Sequence, residues 1–430
     1  MKKTVNQRFV SPNGYVSLIG SALEMDQVVC SGERVLAVTS PGCWGPMITP
    51  SVLSGHEVTR PIRVQDAQVG DTIAFQIERV TVLSEYATSG VGKRYPQRFG
   101  CDPSLEAICP HCKTTHPTTV LSQIGENSVC CAACGQPIIP QTIANGYTVA
   151  YDDKIKLGVT LGKSAAIEAA KKTLAGEVFL PKGSQQHLAT ILGPYDVNDV
   201  IIRSRPMIGN IGCIPAKVIP SSKNSGDLIE SLNNTGLYEH IEKQDITDGH
   251  MDISRVTEGC IFLSPVKVDG AGIYFGDVHL TQGNGELAGH TIDICAELEV
   301  KIHLLKGLRL DGPVILPTKS ELDPRFLPFT DEEFAHAEKL RAKYGERIGY
   351  RRFPVQVVGS GSNLSLAIED AVDRAACMTG LCHEEIKNLG TIAGGVDIGR
   401  TTGTVYLTLM LPEPIINALG LSDLVHQLYD

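Results

Sequence analysis

The chain has 430 residues, 42% of them hydrophobic and 20% charged, a composition that excludes a long disordered protein, a coiled coil and a collagen-like chain. Its 38 basic residues are outnumbered by 48 acidic ones, for a net charge of −10, which argues against a nucleic-acid partner. The length suggests two or three domains at roughly 150 residues each, and 43 Gly with 24 Pro predict the frequent turns of a β-rich protein.

The opening MKKTVNQRFVSPNGYVSLIG has a basic tip, but polar residues, Pro and Gly break any apolar export segment. No uninterrupted run of about 18 apolar residues occurs, so no membrane partner is expected. The 13 cysteines are then expected to be reduced thiols or metal ligands in a cytoplasmic protein.

In residues 1–100, GERVLAVTSPG and GDTIAFQIERVTVL read as short strands of a β-sandwich or barrel. Residues 101–140 are rich in cysteine, lack apolar periodicity and read as an insertion. The β-rich body resumes over 141–310, interrupted by a helix predicted over 163–175 (AAIEAAKKTLA). Strands follow in CIFLSPVKV, AGIYFGDVHL and HTIDICAELEVKIHLL. Residues 311–430 add an α+β portion, with SLAIEDAVDRAACMTGL spaced as an amphipathic helix and Ser365 as its expected N-cap. The fold class expected is β-rich α+β.

Within the insertion, Cys109-Pro-His-Cys112 and Cys131-Ala-Ala-Cys134 are separated by 18 residues. Two such knuckles at this distance match a zinc ribbon, in which four thiolates complete a closed tetrahedron around a structural metal. Cys130 competes with Cys131 for the fourth position, and His111 and His116 are weaker alternatives. No basic and aromatic cluster accompanies the knuckles, so structural support of the insertion is favoured over nucleic-acid binding.

A second constellation occupies 276–286, Gly-Asp-Val-His-Leu-Thr-Gln-Gly-Asn-Gly-Glu. On a strand, Asp277 and His279 point to one face. Gly283 and Gly285 permit a reversal that returns Glu286 towards them. A preceding group, Asp248-Gly249-His250-Met251-Asp252, carries more acid and histidine. Together these residues can hold a divalent metal, expected to be zinc, with room for a water. The candidate ligands are Asp277, His279 and either His250 or Asp252. Asp252 has the alternative task of fixing His250 by a hydrogen bond. Glu286 is the candidate general base and later acid.

RSRPMIGNIGCIP (203–215), DGHMD (248–252), GDVHLTQGNGE (276–286) and SGHEVTRPIRVQDAQVGDTIAFQIERV (54–80) resemble the acetamidase/formamidase family, and the resemblance runs through most of the chain outside the insertion. It implies a β-rich hydrolase that releases ammonia from a small amide. It places His56 in a family-like loop, to orient substrate or join the metal, and Gln282 in the long motif as a substrate contact. Three departures bear on the substrate: His250 stands where the family usually has Asn, Val278 where it has Gly, and Asn284 where it has Asp. A formamide- or acetamide-like substrate is therefore expected, with a cyclic or larger amide as alternative. A further alternative is a non-catalytic zinc-ribbon assembly protein on an amidase-like body. A homo-oligomer is expected, a dimer first. Cys213, Cys260, Cys295 and Cys377 are the rival nucleophiles, and Gly158–Ser164 resembles a phosphate loop but is one residue short between its glycines.

Overall fold

Every second side chain of Arg34–Thr39 (RVLAVT) is buried, and the strand Ala296–Leu305 alternates in the same way. This period of two places one apolar face of each strand on the core. The two strands pair antiparallel, and Ala296–Leu305 pairs on its other side with Thr72–Val82. From there the sheet extends through Ile261–Pro265, Val314–Leu316, Arg352–Ser360 and Thr404–Pro412 to Gly394–Arg400, with Phe9–Val10 at the opposite edge. The computed structural model describes residues 9–25, 27–52, 55–94, 108–139, 141–223, 245, 249–400 and 403–430; Asp248 and residues 101–107 of the expected insertion lie outside them.

This nine-stranded sheet is covered differently on its two faces, since neighbouring residues of one strand, Phe262 and Leu263, join different cores. Around Val35, Phe75, Phe262, Leu298 and Val300 it packs on a second sheet through Ile208, Ile211, Ile273, Phe275 and Val278. That second sheet is built from Met207–Cys213, Ile273–His279, Val58–Thr59 and Tyr15–Val16, with Asp293–Ile294 alongside Ile273–His279. Around Leu263, Val355, Val357, Leu407 and Leu409 the large sheet is instead covered by helices, through Ala367, Ala371, Ala375, Ile386 and Val425. Burial on both faces explains why Ile261–Pro265 and Met207–Cys213 lie buried throughout and read in sequence as continuous apolar runs. One sheet therefore runs across residues 310 and 311, and the architecture is a β-rich α+β fold.

The helix expected over 163–175 spans Lys163–Leu174 and buries Ala166, Ala169, Ala170 and Thr173. The later amphipathic helix spans Leu364–Thr379. Its N-cap is Asn363, whose side chain accepts the Leu366 N–H at 3.0 Å, so the cap expected at Ser365 is corrected by two residues. Asn is as good a cap as Ser, and sequence alone does not choose between neighbours with similar capping power. No helix among the described residues is long and apolar enough to cross a membrane.

Candidate active site and metal centres

The strand Met207–Cys213 links the two acid-and-histidine groups. On one side it pairs with Ile273–His279. On the other, Gly209 O accepts the Met251 and Asp252 N–H groups at 3.0 and 3.2 Å, and Asn210 bridges to His250. Gly209 is needed for this approach, because a Cβ there would meet Asp252 Oδ1 at 2.5 Å and Asp277 O at 2.8 Å. Gly42 is needed likewise, since its Cβ would fall 1.7 Å from Asp277 Oδ1. Asp252, Asp277 and Glu286 adopt φ values of 49°, 53° and 41°, a left-handed backbone that costs on the order of 1–3 kcal/mol at non-Gly residues and concentrates at functional sites.

Asp277 is the hub. One carboxylate oxygen, Oδ2, lies 3.2 Å from His250 Nε2 and 3.4 Å from His56 Nδ1. The other, Oδ1, lies 3.2 Å from His279 Nε2 and 3.8 Å from Cys43 Sγ. His279 Nε2 also stands 3.3 Å from Asp293 Oδ1. His56, His250 and Asp277 thus form one group with metal-ligand spacing, and Cys43, Asp277, His279 and Asp293 form another. All of these side chains are buried.

The histidine tautomers follow from the far side of each ring. His250 Nδ1 faces Ser222 O at 2.6 Å, and a carbonyl can only accept, so Nδ1 carries the proton. His279 Nδ1 faces Gln282 Oε1 at 2.8 Å, with the Gln282 amide fixed by its own N–H to Asp252 O at 2.6 Å. In the neutral form both rings then present Nε2 lone pairs to carboxylates, a repulsive arrangement that a shared proton or a cation relieves. Metal-binding histidines are held in this way, the far ring nitrogen donating to a carbonyl that fixes the tautomer. Asp252, Asp277 and Asp293 each keep buried carboxylate oxygens without hydrogen-bond partners, and such groups are costly unless something compensates their charge. The donor set of imidazole, carboxylate and thiol suits zinc or a similar dication.

The electrostatics describe the same tension. Burial works against the Asp277 carboxylate, yet His56 and His279 hold it well below the usual range. Burial opposes protonation of His279, but Asp277 and Asp293 push it well above its ordinary value. His250 is likewise pushed up to about 10, burial being outweighed by Asp252 and Asp277. Burial and the Asp277 charge drive Asp293 well above the carboxylate range. Glu286 rises to about 7 through burial and the Asp252 charge.

His56, His250, Asp252, Asp277, His279 and Glu286, expected from sequence to share a site, are brought together. The turn carrying Glu286 closes through Glu286 N–H to Gly283 O at 3.1 Å and docks on Gly394–Arg400 through Gly285 N–H to Gly399 O at 3.2 Å. Asp252 touches His250 Nε2 at 3.1 Å and Arg400 at 3.3 Å, and Arg400 Nε lies 3.7 Å from Glu286 Oε2. Gln282 commits its side chain to His279 and the Asp252 carbonyl. Sequence reasoning missed Cys43, Asp293 and Arg400. Asp293 had a usable signal, since HTIDIC adjoins the motif strand and Asp293 sits directly across from His279. Cys43 and Arg400 belong to no local pattern. Among the rival nucleophiles, Cys213 and Cys260 are buried with thiols pushed up to about 12 by burial, burial raises Cys295 as well, and Cys377 is exposed away from the cluster.

The four knuckle cysteines converge. Cys109 and Cys134 sulfurs are 3.8 Å apart, Cys112 and Cys131 sulfurs 3.7 Å, and all four lie within 4.8 Å of one another. The knuckles are equivalent: Lys113 N–H bonds Cys109 O and Gly135 N–H bonds Cys131 O, with left-handed φ of 65° and 70° at Lys113 and Gly135. Cys130 turns to Ser122 Oγ at 3.2 Å, and His116 Nδ1 to Pro50 O at 3.3 Å. Four thiols at this spacing have the chemistry of a closed zinc site. Ile48, Val129, Cys131, Ile138 and Ile139 form a small core beneath them.

A family model described as the Acetamidase/Formamidase family matches residues 38–415. The chain belongs to this family. An acetamidase from Mycolicibacterium smegmatis is 30% identical over 135 residues, 30% of this chain and 32% of that protein. A formamidase from Methylophilus methylotrophus is 26% identical over 166 residues, 37% of this chain and 38% of that one. The chain thus aligns with about a third of the length of these curated relatives. Over nearly the whole fold it resembles two crystal structures: a predicted acetamidase/formamidase from Thermoanaerobacter tengcongensis, with a TM-score of 0.52 and 17% identity over 96% of this chain and 98% of that one, and an acetamidase from Bacillus halodurans, with a TM-score of 0.52 and 15% identity over 96% and 100%.

Proposed function

We propose that this chain is a metal-assisted hydrolase of a small linear amide, releasing ammonia and a carboxylate. The observation that carries the reading is the pair of histidine Nε2 atoms, His250 and His279, set by Ser222 O and Gln282 Oε1 to face opposite oxygens of Asp277. His56, His250 and Asp277 would hold a dication, as would Cys43, Asp277, His279 and Asp293. Such a cation supplies Lewis acidity and lowers the pKa of a bound water to about 7.

The remaining chemistry falls to the chain. Glu286, held near neutrality by burial and Asp252, accepts a proton from the attacking water as its oxygen bonds the amide carbon. It returns that proton to the nitrogen as the C–N bond breaks, so ammonia leaves and the acid remains. Arg400 beside Glu286 and Asp252 balances carboxylate charge. Gln282 orients His279 rather than substrate. A cavity of about 20 Å³ beside Asp293 has room for about one water, and the preference for a small linear amide rests on the acetamidase and formamidase that the chain resembles. The assembly-protein alternative gives no reason for so complete a set of buried donors.

The test is ammonia release over formamide, acetamide, longer amides and lactams, with metal analysis of the same sample. Expected is turnover of the smallest amides, abolished by a chelator and restored by zinc. Absence of ammonia from every amide by metal-replete protein would overturn the reading.

A further inference from the structure

Trp44 and Gln186 line the cavity beside Asp293, and the mechanism above uses neither. They are 2% and 4% exposed, and Trp44 Nε1 and Gln186 Nε2 are buried nitrogens without a hydrogen-bond partner. Both are N–H donors, and Trp Nε1 can do nothing but donate. Two orphaned donors in one place cost stability unless an acceptor arrives to use them.

Their segments are anchored. Gln185 N–H is held by Glu57 Oε1 and His187 N–H by Thr49 Oγ1, each at 2.7 Å, so Gln186 sits between two fixed peptides. Its amide packs on Gly45, where a Cβ would come within 2.8 Å of Nε2 and Oε1. The Trp44 ring packs against His290 at 4.4 Å between centroids, tilted by 40°.

We propose that Trp44 Nε1 and Gln186 Nε2 form the subsite that receives the substrate's carbonyl oxygen. The ligand class is a hydrogen-bond acceptor, because both nitrogens can only donate. Donors fixed before the substrate arrives also stabilise the negative charge that grows on this oxygen during attack. The proposal rests on the amide-hydrolase reading, and its test separates the two.

Trp44 is the sole tryptophan of the chain, so its emission reports the subsite without turnover. In the full-length, metal-replete Glu286→Gln protein, acetamide should shift the emission saturably. Adding Gln186→Met should raise the half-saturation at least about tenfold. With Glu286 intact, Trp44→Phe and Gln186→Met should each lower kcat/KM at least about tenfold at unchanged metal content. An emission change that never saturates overturns the proposal, as does a half-saturation unmoved by Gln186→Met. Should Trp44→Phe fail to fold, Gln186→Met carries both measurements. Saturable binding to the Glu286→Gln protein, with no ammonia released from any amide by the metal-replete wild-type protein, upholds the subsite and refutes the hydrolase reading.

Discussion

Glu286 is 4% exposed and occupies a left-handed turn that faces Arg400 at 3.7 Å. Burial, then the Asp252 charge, lifts its carboxyl to about 7, with Arg400 and His279 opposing. A general base works only when ionised, so activity should be full above this value and fall as pH drops through it. A cation at Asp277 favours the ionised form and moves that limb to lower pH. Glu286→Gln keeps the shape but cannot take a proton. We expect kcat on the best amide to fall by at least ~10² with metal content preserved, and the acid limb to vanish. Loss of metal together with activity would make Glu286 a ligand instead. Much of this site was legible in the sequence because it is local: Asp277 and His279 are two residues apart on a strand, and Gly283 and Gly285 announce the reversal that delivers Glu286. Cys43 and Arg400 were not legible, because long-range packing alone brings them in. Cys43 lies 234 positions from Asp277 in the chain.

The elements around the cluster give the cysteine ribbon a second connection. Its small core includes Ile48 and packs against Ala189 and Leu192. His116 Nδ1 reaches Pro50 O, and Thr119 Oγ1 meets His187 Nε2 at 2.9 Å. Those two segments, 43–50 and 185–192, carry Cys43, Trp44 and Gln186. The knuckles predicted a structural zinc supporting the insertion, and spacing alone could not reveal which segments of the body it touches. Cys112→Ser should therefore remove one zinc per chain, increase hydrogen exchange in 43–50 and 185–192, and lower kcat/KM by about tenfold while the sheets remain folded. Full activity in a variant that has lost this zinc would confine the ribbon to supporting itself. Strand assignments succeeded where one face is buried, as in Arg34–Thr39, since period two is then visible in the text. The pairing order was not visible, because a nine-stranded sheet joins strands from both ends of the chain.

At the scale of the molecule, the helix Asp331–Ala342 is the anomaly: none of its residues is buried. With the segments flanking it and the C-terminal residues it borders a groove of about 620 Å³ lined by Phe329, Phe334, Leu340, Tyr344, Tyr350 and Phe353. Leu340 is 58% exposed and Tyr344 79%, an apolar concentration of the kind that marks interaction surfaces. Its charges bear on the occupant. Asp331, Glu332 and Glu333 open the helix, while Lys339 and Arg341 close it. Asp331 already pairs with Arg351 and Arg341 with Glu346, so a second copy packed antiparallel about a two-fold axis would set Glu332 near the partner's Lys339, as an isologous contact allows, with the helix dipoles opposed. A second copy of this chain is the expected occupant, in keeping with the homo-oligomer expected from the sequence. Light scattering on the wild-type protein should report a dimer. Leu340→Glu with Tyr344→Glu should yield a folded monomer, and Glu332→Lys should weaken the dimer more at low salt than at high salt. A monomeric wild-type chain, or a dimer indifferent to these substitutions, would place the contact elsewhere or remove it. The groove reaches Phe353 of the helix-covered face, whereas the Asp277 strand belongs to the second sheet, packed on the opposite face. The monomeric variant should therefore keep its kcat.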